Sequence, residues 1–417
     1  MKFIGMEMNM RKTRSSFLVL CLAIAAIGLH AVAARAAVWE NSETWNESWE
    51  EKYRHWIESE WTQDYFVKAG PLSGLKADCA DVVYAMRIVF AAEHGLPFVM
   101  KDPTTRSSER VISNSMTRWD QQEPGQRLRS FLTYVYGIGS TASIPADTYP
   151  VAIRPSTLGA GSLILTDRST HHSWTIKNFS NTGIPYLLFG SRPARALLYE
   201  RNEYPTVGFV FPKGIRPETN AGFRNFRQPQ DIAKAVHEVP GYSLEQYSLP
   251  TKGGWMRAVQ KRMQKIEETS EQYVNRILAE ACKGARERVD IIHGGVKKAA
   301  EIGSRCMTAQ EYDDHSTPSR DTRVKGTFEE LQEALNEGMA AGTLTERTQK
   351  DVGAIFDRKG DDTVCPVEIK AGTFLSLGQI YVASTDGKLS NNPHDTLEMR
   401  WGLQAGPSAK ARSCPRY

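Results

Sequence analysis

Apolar and polar positions along the chain change rhythm several times, and each rhythm predicts a kind of element. In residues 39–61, Trp45, Trp49 and Trp56 recur at spacings of four and seven with acidic residues between them, which predicts an amphipathic helix packed on its own domain or, functionally, a sugar-stacking platform. Residues 78–94 repeat apolar side chains at helical spacing and close on Gly95 and Pro97. Residues 105–137 also read as helical, and residues 138–158, with three prolines, as loop. Alternation then takes over in residues 162–166, 172–179 and 186–189, and the turn Ser180-Asn181-Thr182-Gly183 joins the last two as a hairpin.

From about Ser243 the helical period returns. Trp255, Val259, Met263, Ile266, Tyr273 and Ile277 lie in a charged background, and the pattern runs on through Val289, Ile292 and Val296. A further helix is expected over 327–341, and short strands and loops from Cys365. The change of character places a boundary near 235, between a mixed α/β domain (37–235) and a mainly helical one (236–417).

Residues 1–36 stand apart from both. A basic start (Lys2, Arg11, Lys12, Arg14) leads into an apolar run from Phe17 to Ala33 and ends in Ala34-Arg35-Ala36, the layout of a secretory signal peptide. The run is marginal for a bilayer crossing, and Leu20 before Cys21 is too large for a lipidation site, so release rather than membrane insertion is expected. The whole chain of 417 residues has a formal net charge of +4. Removing the signal takes five basic residues and one acidic residue and leaves 47 of each sign. The surplus that nucleic-acid binding needs is therefore gone, and no nucleic-acid partner is expected.

Export also changes the reading of the cysteines. Cys21 leaves with the signal, so five remain, and an odd number in an oxidising compartment suggests one free thiol. Cys282, Cys306, Cys365 and Cys414 can pair among themselves in three ways; Cys79 stands alone far upstream. Relative to Cys79, apolar residues fall at the third, fourth, seventh, tenth and eleventh positions, so the thiol sits in the first turn of its helix, with Asp78 as N-cap. Unpaired amides and the positive end of the helix dipole favour thiolate there. The base that such a nucleophile requires is sought in Thr170-His171-His172-Ser173-Trp174. If Trp174 and Ile176 face the helix, strand alternation puts His172 on the same face, and His172 is preferred to His171.

Asp78-Cys79 opening a helix, a later Gly161-Ser162-Leu163-Ile164 strand and a histidine opening the next strand resemble the papain-like cysteine hydrolase superfamily, particularly the NlpC-type cell-wall peptidases. His172-Ser173-Trp174 and the ending His94-Gly95-Leu96-Pro97 are also similar to bacterial transglutaminase-like proteins. The resemblance covers about residues 70–195. It implies a papain-like α+β domain with the Cys79 helix packed on a small antiparallel sheet, and cleavage of an amide bond in peptidoglycan stem peptides without a cofactor. The cysteine-to-histidine separation is long, which makes residues 100–158 an insertion that could roof the cleft. The group that orients the imidazole is not evident. Residues 186–191 hold no carboxylate, and Ser191 and Asn178 are the substitutes.

Other signals carry less. Asp313 to Asp321 concentrates polar side chains that could bind a cation or line a cleft, but with no defensible ligand spacing it reads as a solvated turn; Gly222-Phe223-Arg224-Asn225-Phe226-Arg227 alternates aromatic and basic residues as some carbohydrate or anion sites do and reads as a linker. No zinc helix, phosphate loop or CxxC pair is present, so no metal or cofactor is expected. The expectation is thus an exported bacterial envelope hydrolase using Cys79, His172 and Ser191 on peptidoglycan or an envelope peptide. The alternative is a non-catalytic scaffold of the same fold whose helical part binds an unknown partner.

Overall fold

A computed structural model describes residues 36–107, 109–217, 220–249 and 254–417. Apart from Ala36, the expected export signal lies outside them. The architecture is mixed α/β, with one multistranded antiparallel sheet and a set of helices.

Helix α1 (Glu47–Ser59) starts at Asn46, whose side chain caps the Trp49 amide. Trp45, Trp56 and Trp61 are buried, and Trp45, Tyr53 and Trp56 pack around Phe90. These three tryptophans therefore build core, and Trp39 and Trp49 pack partly buried against it. Phe90 belongs to helix α2 (Cys79–Glu93), whose residues are buried continuously from Ala80 to Ala91, so it is apolar all round and lies centrally. Its start is a capping box: Asp78 accepts from the Ala80 and Asp81 amides, and Asp81 accepts from the Asp78 amide at 2.8 Å. Gly95, at φ 62°, ends it. Arg87, the buried charge on α2, makes a two-pronged pair with Glu50 and stacks 3.4 Å above the Trp45 ring.

The stretch expected to be helical over 105–137 divides. Val99–Lys101 (β1) and Val111–Ser113 (β2) pair as a hairpin that buries Ile112, and helix α3 (Pro124–Ile138) begins only where proline can occupy the first helical position.

Six strands form the main sheet: β3 (Thr148–Pro150), β4 (Leu163–Leu165), β5 (Ser173–Phe179), β6 (Pro185–Phe189), β7 (Tyr199–Arg201) and β8 (Gly222–Phe226), in the order β3-β8-β4-β5-β6-β7. The β5–β6 hairpin forms where the alternation predicts it. The segment read as a linker is β8, inserted between β3 and β4. Leu163, Leu165 and Leu188 face α2. Ile164, Trp174, Ile176, Leu187 and Phe189 point to the other face, where Trp255, Val259 and Met263 of helix α4 (Trp255–Met263) cover them. Trp174 and Ile176 thus face away from the cysteine helix, the reverse of the expectation, and His172 packs edge-on to Trp174 on that same face, so the alternation that preferred it to His171 does not aim it at Cys79.

A separate core begins at Tyr273. It joins α5 (Ser270–Glu301), α7 (Pro318–Ala340), α8 (Glu346–Phe356) and α9 (Leu377–Thr385), with the short α6 (Ala309–His315) leading into α7 and a hairpin of β9 (Val367–Lys370) and β10 (Thr373–Leu375). Cys282 pairs with Cys365 and Cys306 with Cys414, one of the three possible arrangements, and Cys79 stays free. Two disulfides are compatible with an exported protein. Among the described residues no helix is long and apolar enough to cross a membrane.

The sheet meets the helices through buried charge. Arg201, 2% exposed at the end of β7, is ringed by Glu203, Glu280 and Glu287, and Arg323 of α7 bonds Glu287 at 2.9 Å. Desolvating such charges is costly, so removing one of them leaves its neighbours uncompensated.

Candidate active site

The N-terminus of α2 opens onto a cleft of about 660 Å³. Asp78, Cys79 and Ala80 form one wall, and Ser169 to His172 another; Ser191 and Arg192 follow β6, and Asp313, Ser316, Ser319 and Arg320 come from the helical part. Tyr136, Gly139, Ser140 and Thr141, at and beyond the end of α3, complete the rim.

Three contacts bring the histidine segment and the end of β6 against the start of the cysteine helix. The Ser173 hydroxyl donates to the Cys79 carbonyl at 2.9 Å. The Cys79 Sγ lies 3.8 Å from the His171 carbonyl oxygen. Gly190 lies so close to the helix start that a Cβ there would overlap the Asp78 carbonyl. On the other side of β5, the His172 amide donates to Thr166 Oγ1 at 2.8 Å, closing the loop before the strand. His171 is exposed and has a left-handed backbone, φ 48°, rare for a residue with a side chain and found where local structure over-determines it.

The His172 ring is half-buried among aromatics, edge-on to Trp174 at 4.4 Å and to Phe189 at 5.4 Å. It shares a smaller cavity of about 50 Å³ with Ser191, Glu287, Arg320 and Arg323. Ser191 Oγ accepts from Arg320 Nη2 at 3.1 Å. Asn178 is exposed toward the far end of β5 from His172.

The charges around the site favour the neutral forms of both groups. Burial, followed by the Asp78 and Asp81 carboxylates, pushes the Cys79 thiol up to about 12, against the pull of the Ala80 amide and Arg192. The helix start alone favours thiolate; here burial and the two acids that build the capping box outweigh it. Burial, then Arg323, Arg320 and Arg201, pushes His172 down to about 3. Burial and Asp78 raise Asp81 to about 8. At neutral pH the cleft therefore holds a thiol and a neutral imidazole. Two further groups suit an oxyanion. Asp78 caps the Ala80 and Asp81 amides, so the Cys79 amide is not capped by it at the helix start, and the buried Tyr136 hydroxyl has no hydrogen-bond partner among the described residues.

Several of these residues escaped the sequence. Glu287, a carboxylate beside His172, comes from α5, more than a hundred residues downstream. The segment Asp313 to Arg320, read as a solvated turn, ends α6, begins α7 and walls the cleft, with Asp313 bonded to Arg192 at 3.0 Å. Its concentration of polar residues was the one signal available. Among the described residues no three His, Cys, Asp or Glu side chains are grouped to hold a metal ion. Comparison with protein-family models, with curated proteins and with solved structures found no match.

Proposed function

We propose that the protein is an exported cysteine hydrolase of papain-like arrangement, acting on amide bonds of peptidoglycan stem peptides in the bacterial envelope. The observation that carries this reading is the single cleft shared by a free cysteine at a helix start and the His171-His172 pair. The Cys79 sulfur attacks the carbonyl carbon while its proton passes to a ring nitrogen of one of the two histidines that line the cleft, and the Cys79 amide and Tyr136 hydroxyl receive the developing oxyanion. The C–N bond then breaks as the imidazolium returns the proton to the leaving amine. Water, giving a proton to the same imidazole, splits the thioester, releases the acid and restores the thiol. Ser191 and Glu287 are the groups beside His172 that orient it.

His171 competes for the role of base, because it is exposed in the cleft and its own carbonyl already touches the thiol. The non-catalytic scaffold is favoured by one observation, the thiol held at about 12. A digest of isolated peptidoglycan decides between these readings. New muropeptide products with the wild type, absent with Cys79→Ala and with one of His171→Ala or His172→Ala, support the hydrolase and name its base. Identical profiles for wild type and Cys79→Ala sink it.

A further inference from the structure

Arg320 differs from the other arginines around the cleft. Arg192 is paired with Asp78 and Asp313, and Arg323 with Glu287. Arg320 bonds neutral oxygens, Ser191 Oγ at 3.1 Å and the Arg192 carbonyl at 3.0 Å, both through Nη2, with the Tyr199 hydroxyl also beside it. No carboxylate among the described residues pairs with it. It is half-buried, and it borders both the main cleft and the small cavity over His172. A guanidinium partly removed from water and without a carboxylate of its own, the Glu287 of the same small cavity being bonded to Arg323, is unusual, because its planar fork matches a carboxylate and gains most from one where water is scarce. Its position in the first turn of α7, a helix of 23 residues, adds a positive helix end on the same side.

We propose that Arg320 is a carboxylate-binding subsite of the Cys79 cleft, so that the helical part of the chain selects substrates bearing a free carboxylate close to the scissile amide. This rests on the hydrolase reading for what happens to the ligand, but not for its binding. Occupation of the subsite has a second effect. Arg320 is one of the three charges that hold His172 neutral, and a carboxylate on it cancels that share of the field, easing proton uptake from Cys79 only when the right substrate is bound.

The test uses the full mature chain carrying Cys79→Ala, so that nothing is turned over, and isothermal titration with two probes: a soluble muropeptide with free carboxylates, and the same muropeptide with those carboxylates converted to carboxamides. The free form is expected to bind at least tenfold more tightly. Arg320→Gln, which keeps a donor for Ser191, is expected to bring the free form down to the amidated one and leave the amidated form unchanged, and Arg320→Lys to fall between. Circular dichroism and the thermal midpoint verify that each variant is folded. Absence of binding, equal binding of the two probes, or equal weakening of both by Arg320→Gln overturns the subsite. Cleavage by the wild type is scored separately: discrimination without cleavage retains the subsite and removes the hydrolase, and cleavage of both probes at equal rates with equal affinities does the opposite.

Discussion

The Ser173 hydroxyl donates to the main-chain carbonyl of Cys79 at 2.9 Å, so the strand that follows the two histidines is pinned to the first turn of the helix that presents the thiol. The two chain segments are 94 positions apart in sequence, and this bond sets the depth at which the sulfur meets the cleft. Beside the sulfur, with the His171 carbonyl, lies the capping machinery of its own helix, Asp78 and Asp81, which stabilises the helix and, after burial, opposes the thiolate.

That dual role is testable by alkylation. Asp78→Asn retains an N-cap acceptor but removes the charge that acts most strongly on Cys79 after burial. At pH 8 the wild-type thiol is expected to react with iodoacetamide more slowly than the same cysteine in urea, and Asp78→Asn to react about tenfold faster than wild type, one pKa unit. Equal rates for the two folded proteins would show that burial alone sets the thiol.

The imidazole of His172 gives stability a defined pH dependence. Its folded pKa, about 3, lies below the ordinary 6.5, so the unfolded chain binds a proton in that window that the folded chain does not. The contribution is present in full above pH 6.5 and is lost as pH falls toward 3, by up to about 1.4 kcal/mol per unit. Asp147 and Glu203 are raised by burial, to about 7 and about 8, and act in the opposite sense, so the comparison must be with His172→Gln. Urea unfolding at pH 4, 5, 6 and 7 is expected to show a steeper acid loss in wild type than in the variant, and parallel curves would refute the assignment.

Gly190 is required by close approach. Alanine there would overlap the Asp78 carbonyl and push β6 away from the helix start. The overpacking is expected to cost about 1–3 kcal/mol in unfolding free energy and, under the proposed hydrolase reading, to reduce cleavage of peptidoglycan further than the stability loss explains. A variant as stable and as active as wild type would mean that the sheet does not hold the helix start in place.

Arg201 ties the sheet to the helices. Arg201→Ala leaves Glu280 and Glu287 without their common partner and is expected to destabilise the chain by about 3–5 kcal/mol, read as a lowered urea midpoint. A change below about 1 kcal/mol, the worth of an exposed pair, would show that the seam does not depend on this network.

Local features were legible because their causes are local. Asp78, the apolar period and Gly95 supply start, face and stop of α2 within a few residues of each other, and alternation around a tight turn supplies the β5–β6 hairpin. Other features depended on partners far along the chain. Val111–Ser113 became a strand because Val99–Lys101 lay opposite it, and Gly222–Phe226 became one because β3 and β4 left a place between them. Which face of β5 met α2 was decided by what covered the other side, since Trp174 and Ile176 found Trp255, Val259 and Met263.

From the sequence alone came a mixed α/β segment followed by long helices, a cysteine placed at a helix start, and four cysteines left to pair with one another. Those follow from period, capping and count, which are properties of neighbouring residues. Tertiary structure alone decided which cysteines joined, that Glu287 and Arg320 would come from the helical part to the histidine and the cleft, and that burial, with the neighbouring capping acids, would keep the Cys79 sulfur protonated. Each of these is a through-space effect of burial and charge, whose strength depends on distances that chain spacing does not contain.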